Sequence, residues 1–273
     1  MGHMIFSISS ILLYLTATAL LGCRLLWPAL SDNNALRIGS IGTTTFGVTL
    51  HGIVLYQTIL TQTGLNLGIS NVASLVTWGI VLVLLVGTIA RPLVNLGILV
   101  LPLAAITIAL TRFYPSEHML SESVALGVEI HVVLSILAAS VLSVAAIQSV
   151  FLAFQERSLR RKRLTRILQV LPPLQVQESV FFQLIGVGFF LLSLSLASGM
   201  AFIEDMFAQH LAHKTLLSLL AWVVFAVLLW GRWRFGWRGR RAVRWSLTGF
   251  TVLMLAYFGS KMVLEIILGR AWY

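Results

Sequence analysis

The sequence has little charge and few acidic residues. Only 10% of its 273 residues are charged, against about 25% in an average soluble domain, and only nine are Asp or Glu. Hydrophobic residues make up 58% of the chain, and the mean hydropathy is +0.94. A soluble fold cannot hide so much apolar surface, so the composition predicts an integral membrane protein. The net charge of +10 then indicates topology before it indicates a ligand.

Cysteine is nearly absent as well. The single Cys23 excludes an internal disulfide framework and any metal or iron–sulfur site built on several cysteines. Cys23 ends the stretch LLGC, which resembles a lipoprotein cleavage box, but no Lys or Arg precedes the apolar stretch as a secretory signal would need. We therefore interpret 5–21 as a retained first span, and 1–3 as a cloning remnant.

The sequence motifs of common catalytic sites are also missing. The chain has no P-loop, no Gly-x-Gly-x-x-Gly, no Gly-x-Ser-x-Gly elbow and no His-Glu-x-x-His pattern. Glu204 and Asp205 are adjacent, which is too close in sequence for a reliable acid/base pair. Nothing predicts a hydrolase or a kinase, and we expect that the protein is not an enzyme.

Long apolar runs are abundant instead. A span needs about 20 mostly apolar residues, and by this measure the chain contains eight predicted spans, joined between the third and fourth by a tight hairpin at Arg91-Pro92. We predict an all-α polytopic bundle that forms a single membrane domain over 1–273. The spans are 5–23, 39–60, 72–90, 92–111, 127–154, 179–202, 214–231 and 246–268.

The distribution of Lys and Arg predicts the orientation, because cationic side chains are retained on the cytoplasmic side. The connections after spans one, three, five and seven hold fifteen of these residues, and the opposite side holds three. Both termini are therefore expected to face outward. The fifteen are Arg24, Arg37, Arg91, Arg157, Arg160, Arg161, Lys162, Arg163, Arg166, Arg232, Arg234, Arg238, Arg240, Arg241 and Arg244; the three are Arg112, Lys214 and Arg270.

The stretch WRFGWRGRRAVRW (233–245) mixes five arginines with three tryptophans. Arginines interleaved with aromatics suit nucleic acid in a soluble protein, but here they form a predicted cytoplasmic connection. Its arginines are expected to hold the loop inside, and Trp233, Trp237 and Trp245 to lie at headgroup level, while Gly236 and Gly239 let the chain turn. An added contact with anionic lipid or with a partner is the alternative.

All five histidines that remain after residue 3 fall in the predicted outer half of the bundle. Imidazole is a common ligand of metals and of haem iron, although a hydrogen-bonded interfacial histidine is the ordinary explanation for each one. That explanation is weakest for His51, which lies at membrane depth, where polar groups are costly and tend to be functional. The five are His51, His118, His131, His210 and His213.

Several segments resemble the membrane family of cytochrome c assembly proteins, and within it the short eight-span branch of HemX/YpjD type. The likeness is most specific in QLIGVGFFLLSLSLASGMAF (183–202), HKTLLSLLAWVVFAVLLWGR (213–232) and GWRGRRAVRWSLTGFTVLMLAYFG (236–259). It extends upstream to HGIVLYQTILTQTGLNLGISNVASLVTW (51–78) and EIHVVLSILAASVLSVAAI (129–147). The resemblance implies a multi-pass protein of the bacterial inner membrane.

The resemblance also implies site residues. His51 matches the family's embedded haem-ligand histidine and His131 its first external one. Lys214 and Trp222 match the lysine and tryptophan that end a tryptophan-rich external motif. Arg238, Arg240 and Arg241, with Gly236 and Gly239, match a family loop signature. Members of the family bind haem and pass it to apocytochrome c at the outer surface.

Two functions follow from this likeness. The first is a haem-binding protein of cytochrome c biogenesis, in which histidines of the outer half hold the iron and Lys214 meets a haem propionate; other maturation components or apocytochrome c are its implied partners. The second is a membrane scaffold or regulator, of tetrapyrrole synthesis or of a partner ion exporter, with a degenerate haem site. A small-molecule transporter is a third hypothesis. Broken helices at corresponding positions in the two halves of the chain would favour it, and none is evident.

Helical rise limits which histidines can share one iron. His51 lies about 20 Å and His131 about 36 Å from the cytoplasmic ends of their predicted spans, whereas axial ligands of one haem are about 4 Å apart. After AYFG this chain reads SKMVLEIILGR, without the second external histidine of larger members. We therefore predict that His131 pairs with His213 beside Lys214, with His210 as the next candidate, and not with His51.

Overall fold

The structure, a computed structural model, describes residues 2–30, 33–61, 64–90, 93–114, 119–120, 126–161, 171–202 and 209–259. Within these residues the chain forms eight α-helices, and seven of them are long and apolar enough to cross a membrane. The predicted polytopic all-α bundle is therefore confirmed. The helices are α1 (Gly2–Leu26), α2 (Asn34–Ile59), α3 (Ile69–Ala90), α4 (Gly97–Phe113), α5 (Leu126–Arg160), α6 (Leu174–Phe202), α7 (Gln209–Phe235) and α8 (Gly239–Met254).

The predicted eighth span, 246–268, is described only in its first half. There α8 continues into a π-helical turn at Leu255–Gly259, and residues 260–268 lie outside the described part of the chain. The hairpin predicted at Arg91-Pro92 also lies outside the described residues. Following that hairpin, α4 begins only at Gly97, after a short 3-10 turn at Val94–Leu96, and so later than the predicted start of its span.

Most helices extend beyond their predicted spans, and for two of them the local reason is clear. The side chain of Asn33 accepts hydrogen bonds from the backbone N–H groups of Ala35 and Leu36, so α2 is capped and begins five residues before the predicted start at 39. Polar residues continue α5 to Arg160, where a salt bridge of 2.8 Å joins Arg160 to Glu156 one turn earlier. Cations in the last turn of a helix also interact favourably with its dipole.

A small antiparallel sheet, which the sequence did not predict, follows α2. Its strands β1 (Leu60–Thr61), β2 (Gly64–Asn66) and β3 (Met119–Leu120) lie in the order β1-β2-β3. Leu65 of β2 is opposite Leu60 of β1 and Leu120 of β3. The sheet thus ties the α2–α3 connection to the chain that follows α4.

The helices separate into two compact units. The first comprises Met1–Ser121 with Gln155–Pro173, and the second comprises Glu122–Phe154 with Leu174–Tyr273. The first unit thus contains α1 to α4, and the second contains most of α5 together with α6, α7 and α8. That they form one functional membrane domain stays a prediction.

In the first unit, α1 packs closely on α2. Gly47 allows this approach, since a Cβ at that position would lie 2.9 Å from the Tyr14 ring. The Ser10 hydroxyl donates a hydrogen bond of 2.9 Å to the Gly47 carbonyl. On the other side of α2, the Trp78 indole N–H of α3 donates to the Val48 carbonyl at 2.8 Å. Polar contacts therefore fix α2 between its two neighbours.

In the second unit, α5 and α6 pair antiparallel in a well-defined register. The hydroxyls of Ser135 and Ser195 are 2.6 Å apart, and seven residues further along each helix Leu142 fills the space beside Gly188. A Cβ at Gly188 would lie 2.5 Å from the Leu142 side chain, so any other residue there would force Leu142 or the helix to shift. The amide of Gln148 donates to Gln177 near the other end of the pair.

The connection between α7 and α8 is a compact turn built around Trp237. Gly236 and Gly239 have φ of 63° and 53°, so the predicted role of these glycines in turning the chain is confirmed. The Trp237 indole lies against Gly231, where an added Cβ would overlap the ring. The ring centroids of Trp237 and Trp245 are 5.7 Å apart. Trp233 is 78% exposed, and the placement of the three tryptophans at headgroup level stays a prediction.

The orientation is a prediction that a fusion experiment tests. With both termini outside, a periplasmically active reporter fused after Tyr273 is expected to be active, because fifteen of the Lys and Arg residues then lie inside. The measurement compares this fusion with a cytoplasmically active reporter at the same position. Activity of the cytoplasmic reporter alone would contradict the assignment.

Candidate functional site

His131 of α5 is held against α6 by its Nδ1 atom. This nitrogen lies 2.8 Å from the backbone carbonyl oxygen of Ser195 and 3.3 Å from the Ser198 hydroxyl. The ring lies near the beginning of α5 and contacts the last two turns of α6, in agreement with its predicted place near one end of the bundle. His131 is half-buried.

The two partners of Nδ1 determine the tautomer of His131. A carbonyl oxygen can only accept, and the Ser198 hydroxyl donates its own proton to the same Ser195 carbonyl at 2.9 Å. Nδ1 must therefore carry the proton, which leaves the lone pair on Nε2. Histidines that bind metals commonly donate the other ring N–H to a carbonyl in this way, which orients the ring. His131 thus has the protonation of an iron ligand.

The surroundings of Nε2 leave it weakly engaged. Its contact to the Ser135 hydroxyl is 3.5 Å, which is long for a hydrogen bond, while that hydroxyl is only 2.6 Å from Ser195 Oγ. The Tyr257 side chain also interacts with Ser135. Because Ser135 has these other partners, the loss of its contact to Nε2 would cost little.

Trp222 of α7 is anchored on the same stretch of α6. Its indole N–H donates to the Ser193 hydroxyl at 2.8 Å, and its ring stacks on Phe189 at a centroid distance of 5.4 Å. Ser193 and Ser195 are two residues apart, about 200° around a helix, so Trp222 and His131 approach α6 from opposite sides. Trp222 therefore fixes α7 on α6, which is the helix that positions His131.

The other predicted outer residues lie at the beginning of α7. His213 is exposed and Lys214 is half-buried. His210 belongs to the first turn of α7, but its side chain lies outside the described residues, as does the whole of His118. Within the described part of the chain, no group of three or more His, Cys, Asp or Glu side chains could hold a metal ion. Haem iron needs only one or two protein ligands, and the pairing of His131 with His213 stays a prediction.

His51 has a different environment, in the first unit. It is completely buried, with Nδ1 3.3 Å from the Tyr14 hydroxyl and Nε2 2.8 Å from the Ser74 hydroxyl. Because both ring nitrogens have a partner, this arrangement does not fit an iron ligand, and binding at His51 would require Ser74 or Tyr14 to move. As described, His51 links α1, α2 and α3 through hydrogen bonds.

The residues that orient the two histidines were not predicted from the sequence. One signal was visible: the run LSLSLASG (192–199) places three serines in an apolar span, where hydroxyls need partners. Its link to His131 spans 64 residues and depends on how α5 and α6 align. Tyr14 and Ser74 carried no such signal, because single hydroxyls in an apolar helix commonly bond to their own backbone.

Comparison with known proteins agrees with this architecture. Residues 41–268 match the family described as cytochrome C assembly protein. The inner membrane protein YpjD of Escherichia coli K12 is 36% identical over 209 residues, which cover 75% of this chain and 78% of YpjD. No solved structure matches the chain.

Two further relatives are more distant or shorter in their match. An uncharacterized 28.8 kDa protein of Azospirillum brasilense is 37% identical over 144 residues, 52% of this chain and 53% of that protein. The cytochrome c biogenesis protein CcsA of Trichodesmium erythraeum is 27% identical over 101 residues, 36% of this chain and 29% of CcsA.

The family match covers most of the chain, including both His51 and His131, and the long YpjD alignment adds an inner-membrane relative of similar extent. Together with seven helices able to span a bilayer, these matches identify a multi-pass protein of the inner membrane. With the matched segment running from α2 past the end of α8, this chain belongs to the cytochrome c assembly protein family.

Proposed function

We propose that this protein carries haem for cytochrome c biogenesis and binds its iron through Nε2 of His131. The observation that supports this most directly is the pair of acceptors on Nδ1, the Ser195 carbonyl at 2.8 Å and the Ser198 hydroxyl at 3.3 Å. They leave the Nε2 lone pair available in a half-buried ring. Family membership supplies the class of ligand.

The other candidate residues would complete the haem site around His131. His213, or His210 one turn earlier, would provide the second imidazole, and the Lys214 ammonium would meet a haem propionate by charge attraction. Trp222, stacked on Phe189, would keep α7 in place beside α6. The haem is the cargo in this proposal, and the protein makes and breaks no covalent bond. Apocytochrome c or another cytochrome c maturation component would receive it.

A membrane scaffold or regulator with a degenerate haem site is the second candidate, whether its client is tetrapyrrole synthesis or a partner ion exporter. Its support comes from His51, the counterpart of the family's embedded ligand, whose two ring nitrogens are both occupied by hydroxyls. The exposure of His213 is a second point in its favour. In that case the packing of His51 and His131 would serve the fold alone.

The visible absorption spectrum of the protein, purified in detergent from cells supplied with a haem precursor, distinguishes the two. A Soret band that survives dilution and gel filtration is expected if haem is carried. Reduction should then give the sharp α and β bands of a low-spin iron if two imidazoles bind it. A well-folded preparation without a Soret band would favour the scaffold.

A further inference from the structure

The beginning of α8 presents a basic face that points away from the rest of the second unit. Arg240, Arg241 and Arg244 are all exposed and lie within about 100° of one another around the helix axis. The opposite face is buried, and its residues are Ala242, Val243, Ser246, Gly249 and Leu253. The helix therefore packs through one side and leaves its arginines on the other.

The exposed face of α8 changes from charged to apolar along the helix. After Arg244 it continues through Thr248 and Thr251, both exposed, to Leu255, which is 51% exposed. Leu255 lies eleven residues beyond Arg244, which corresponds to about 16 Å of helical rise. Half of a hydrocarbon core is about 15 Å thick. The predicted eighth span, 246–268, has its centre near residue 257, so Leu255 is expected near the bilayer centre and the arginines near the level of the lipid phosphates.

These arginines have no carboxylate partner in the described part of the chain. Six arginines and no acidic residue lie between Trp230 and Trp245. The carboxylate that does approach this region is Glu178 of α6, which lies 3.1 Å from Arg232 and 3.6 Å from Arg238. The other described salt bridge joins Arg160 to Glu156. The charge on the face of α8 is thus available to an external anion.

Neighbouring aromatic residues hold one member of this face, Arg241, in place. The guanidinium of Arg241 lies over the Trp237 ring, 5.4 Å from its centroid, and that ring packs on Trp245 and Gly231. On α7, Trp230 and Trp233 make an edge-to-face contact and are both exposed, as residues at a lipid interface commonly are. An ordered arginine loses less freedom when it binds an anion.

The geometry points to a binding site for the phosphate of an anionic phospholipid on Arg240, Arg241 and Arg244. Guanidinium groups bind phosphate oxygens in a bidentate manner, and cationic side chains near a membrane surface attract anionic headgroups. The acyl chains of the bound lipid would extend along the Thr248 to Leu255 side of α8. The site is separate from His131 and does not depend on the proposed transport of haem.

Native mass spectrometry of the full-length protein tests this site. The protein in detergent is offered equal amounts of phosphatidylglycerol and phosphatidylcholine with the same acyl chains. We expect the wild type to retain phosphatidylglycerol with a preference of about tenfold, and the variant R240Q/R244Q to show a preference of about twofold or less.

The matched control is R157Q/R161Q. It also removes two exposed arginines that are four residues apart, one in the last turn of α5 and one immediately after that helix. This control is expected to keep the preference of the wild type. Equal losses in the two variants would mean that total charge, and not this site, attracts the lipid, and a wild type without preference would also overturn the proposal.

Two further measurements keep the test decisive. If R240Q/R244Q does not insert correctly, R240K/R244K retains the charge but not the bidentate geometry, and its preference is expected to fall by at least about twofold; an unchanged preference would contradict the site. Inorganic phosphate at the concentration of the lipid should leave the thermal unfolding temperature unchanged. Stabilisation by phosphate equal to that by phosphatidylglycerol would overturn the assignment to a lipid.

Discussion

Replacing His131 with alanine is expected to lower the haem that co-purifies with the protein by more than about tenfold. Loss of a residue that merely orients a metal ligand commonly costs 10- to 100-fold in affinity, so loss of the ligand itself should cost at least as much. The measurement is the ratio of Soret absorbance to protein absorbance after gel filtration. The reason is structural as well as chemical, since the Ser195 carbonyl accepts a hydrogen bond from Nδ1 of His131 and thereby fixes the direction of Nε2.

Three variants separate ligand loss from a general disturbance of the fold. S198A removes one of the two acceptors of Nδ1 and should cause a smaller loss, while H213A tests the predicted second ligand. In H131G, added imidazole should restore part of the Soret band, because the free base can occupy the vacated space. Unchanged haem content in H131A would refute this residue as a ligand.

Replacing His51 with leucine is expected to destabilise the protein by about 1–3 kcal/mol. The substitution removes the His51 partner of the buried Ser74 hydroxyl and one of the contacts of the Tyr14 hydroxyl, which also interacts with the Ser10 side chain. Each lost buried hydrogen bond costs about 1 kcal/mol, although membrane helices often find substitutes. Unfolding of the detergent-solubilised protein by heat or by a denaturing detergent measures the change.

Variants of Tyr14 and Ser74, the two hydrogen-bond partners of His51, show how much each contact contributes to this loss of stability. Y14F removes the longer contact to His51, of 3.3 Å, together with the contact of the same hydroxyl to Ser10, and S74A removes the shorter contact of 2.8 Å. Haem content per folded molecule should stay unchanged in all three. If H51L kept full stability and lost the haem, His51 would be a ligand in a conformation that differs from the one described.

The helices were predictable because a bilayer imposes a length and a composition on each span. What the sequence could not indicate was where the helices end outside the apolar core. The early start of α2 depends on the capping side chain of Asn33, and the extension of α5 depends on the pair Glu156 and Arg160. The small sheet that includes Leu65 was not predicted, because strands of two or three residues are too short to show a periodic pattern.

The site was predictable only in part. The resemblance indicated His131, but its orienting acceptors Ser195 and Ser198 are remote in sequence, and their contact depends on the alignment of two helices. For His51 the sequence showed a polar group at depth and correctly implied a partner, since such a group is unfavourable alone. Its partners are the hydroxyls of Tyr14 and Ser74.

The contact between Gly188 and Leu142 limits how this family member can vary. Leu142 is eleven residues from His131 and Gly188 is seven residues from Ser195, so the contact lies about 10–16 Å from the imidazole along the two helices. A slip of one residue between these helices would move His131 by about 1.5 Å and change the angle at which it meets the Ser195 carbonyl. Substitutions at Gly188 should therefore disturb the position of the imidazole, although Gly188 is distant from it and has no functional group of its own.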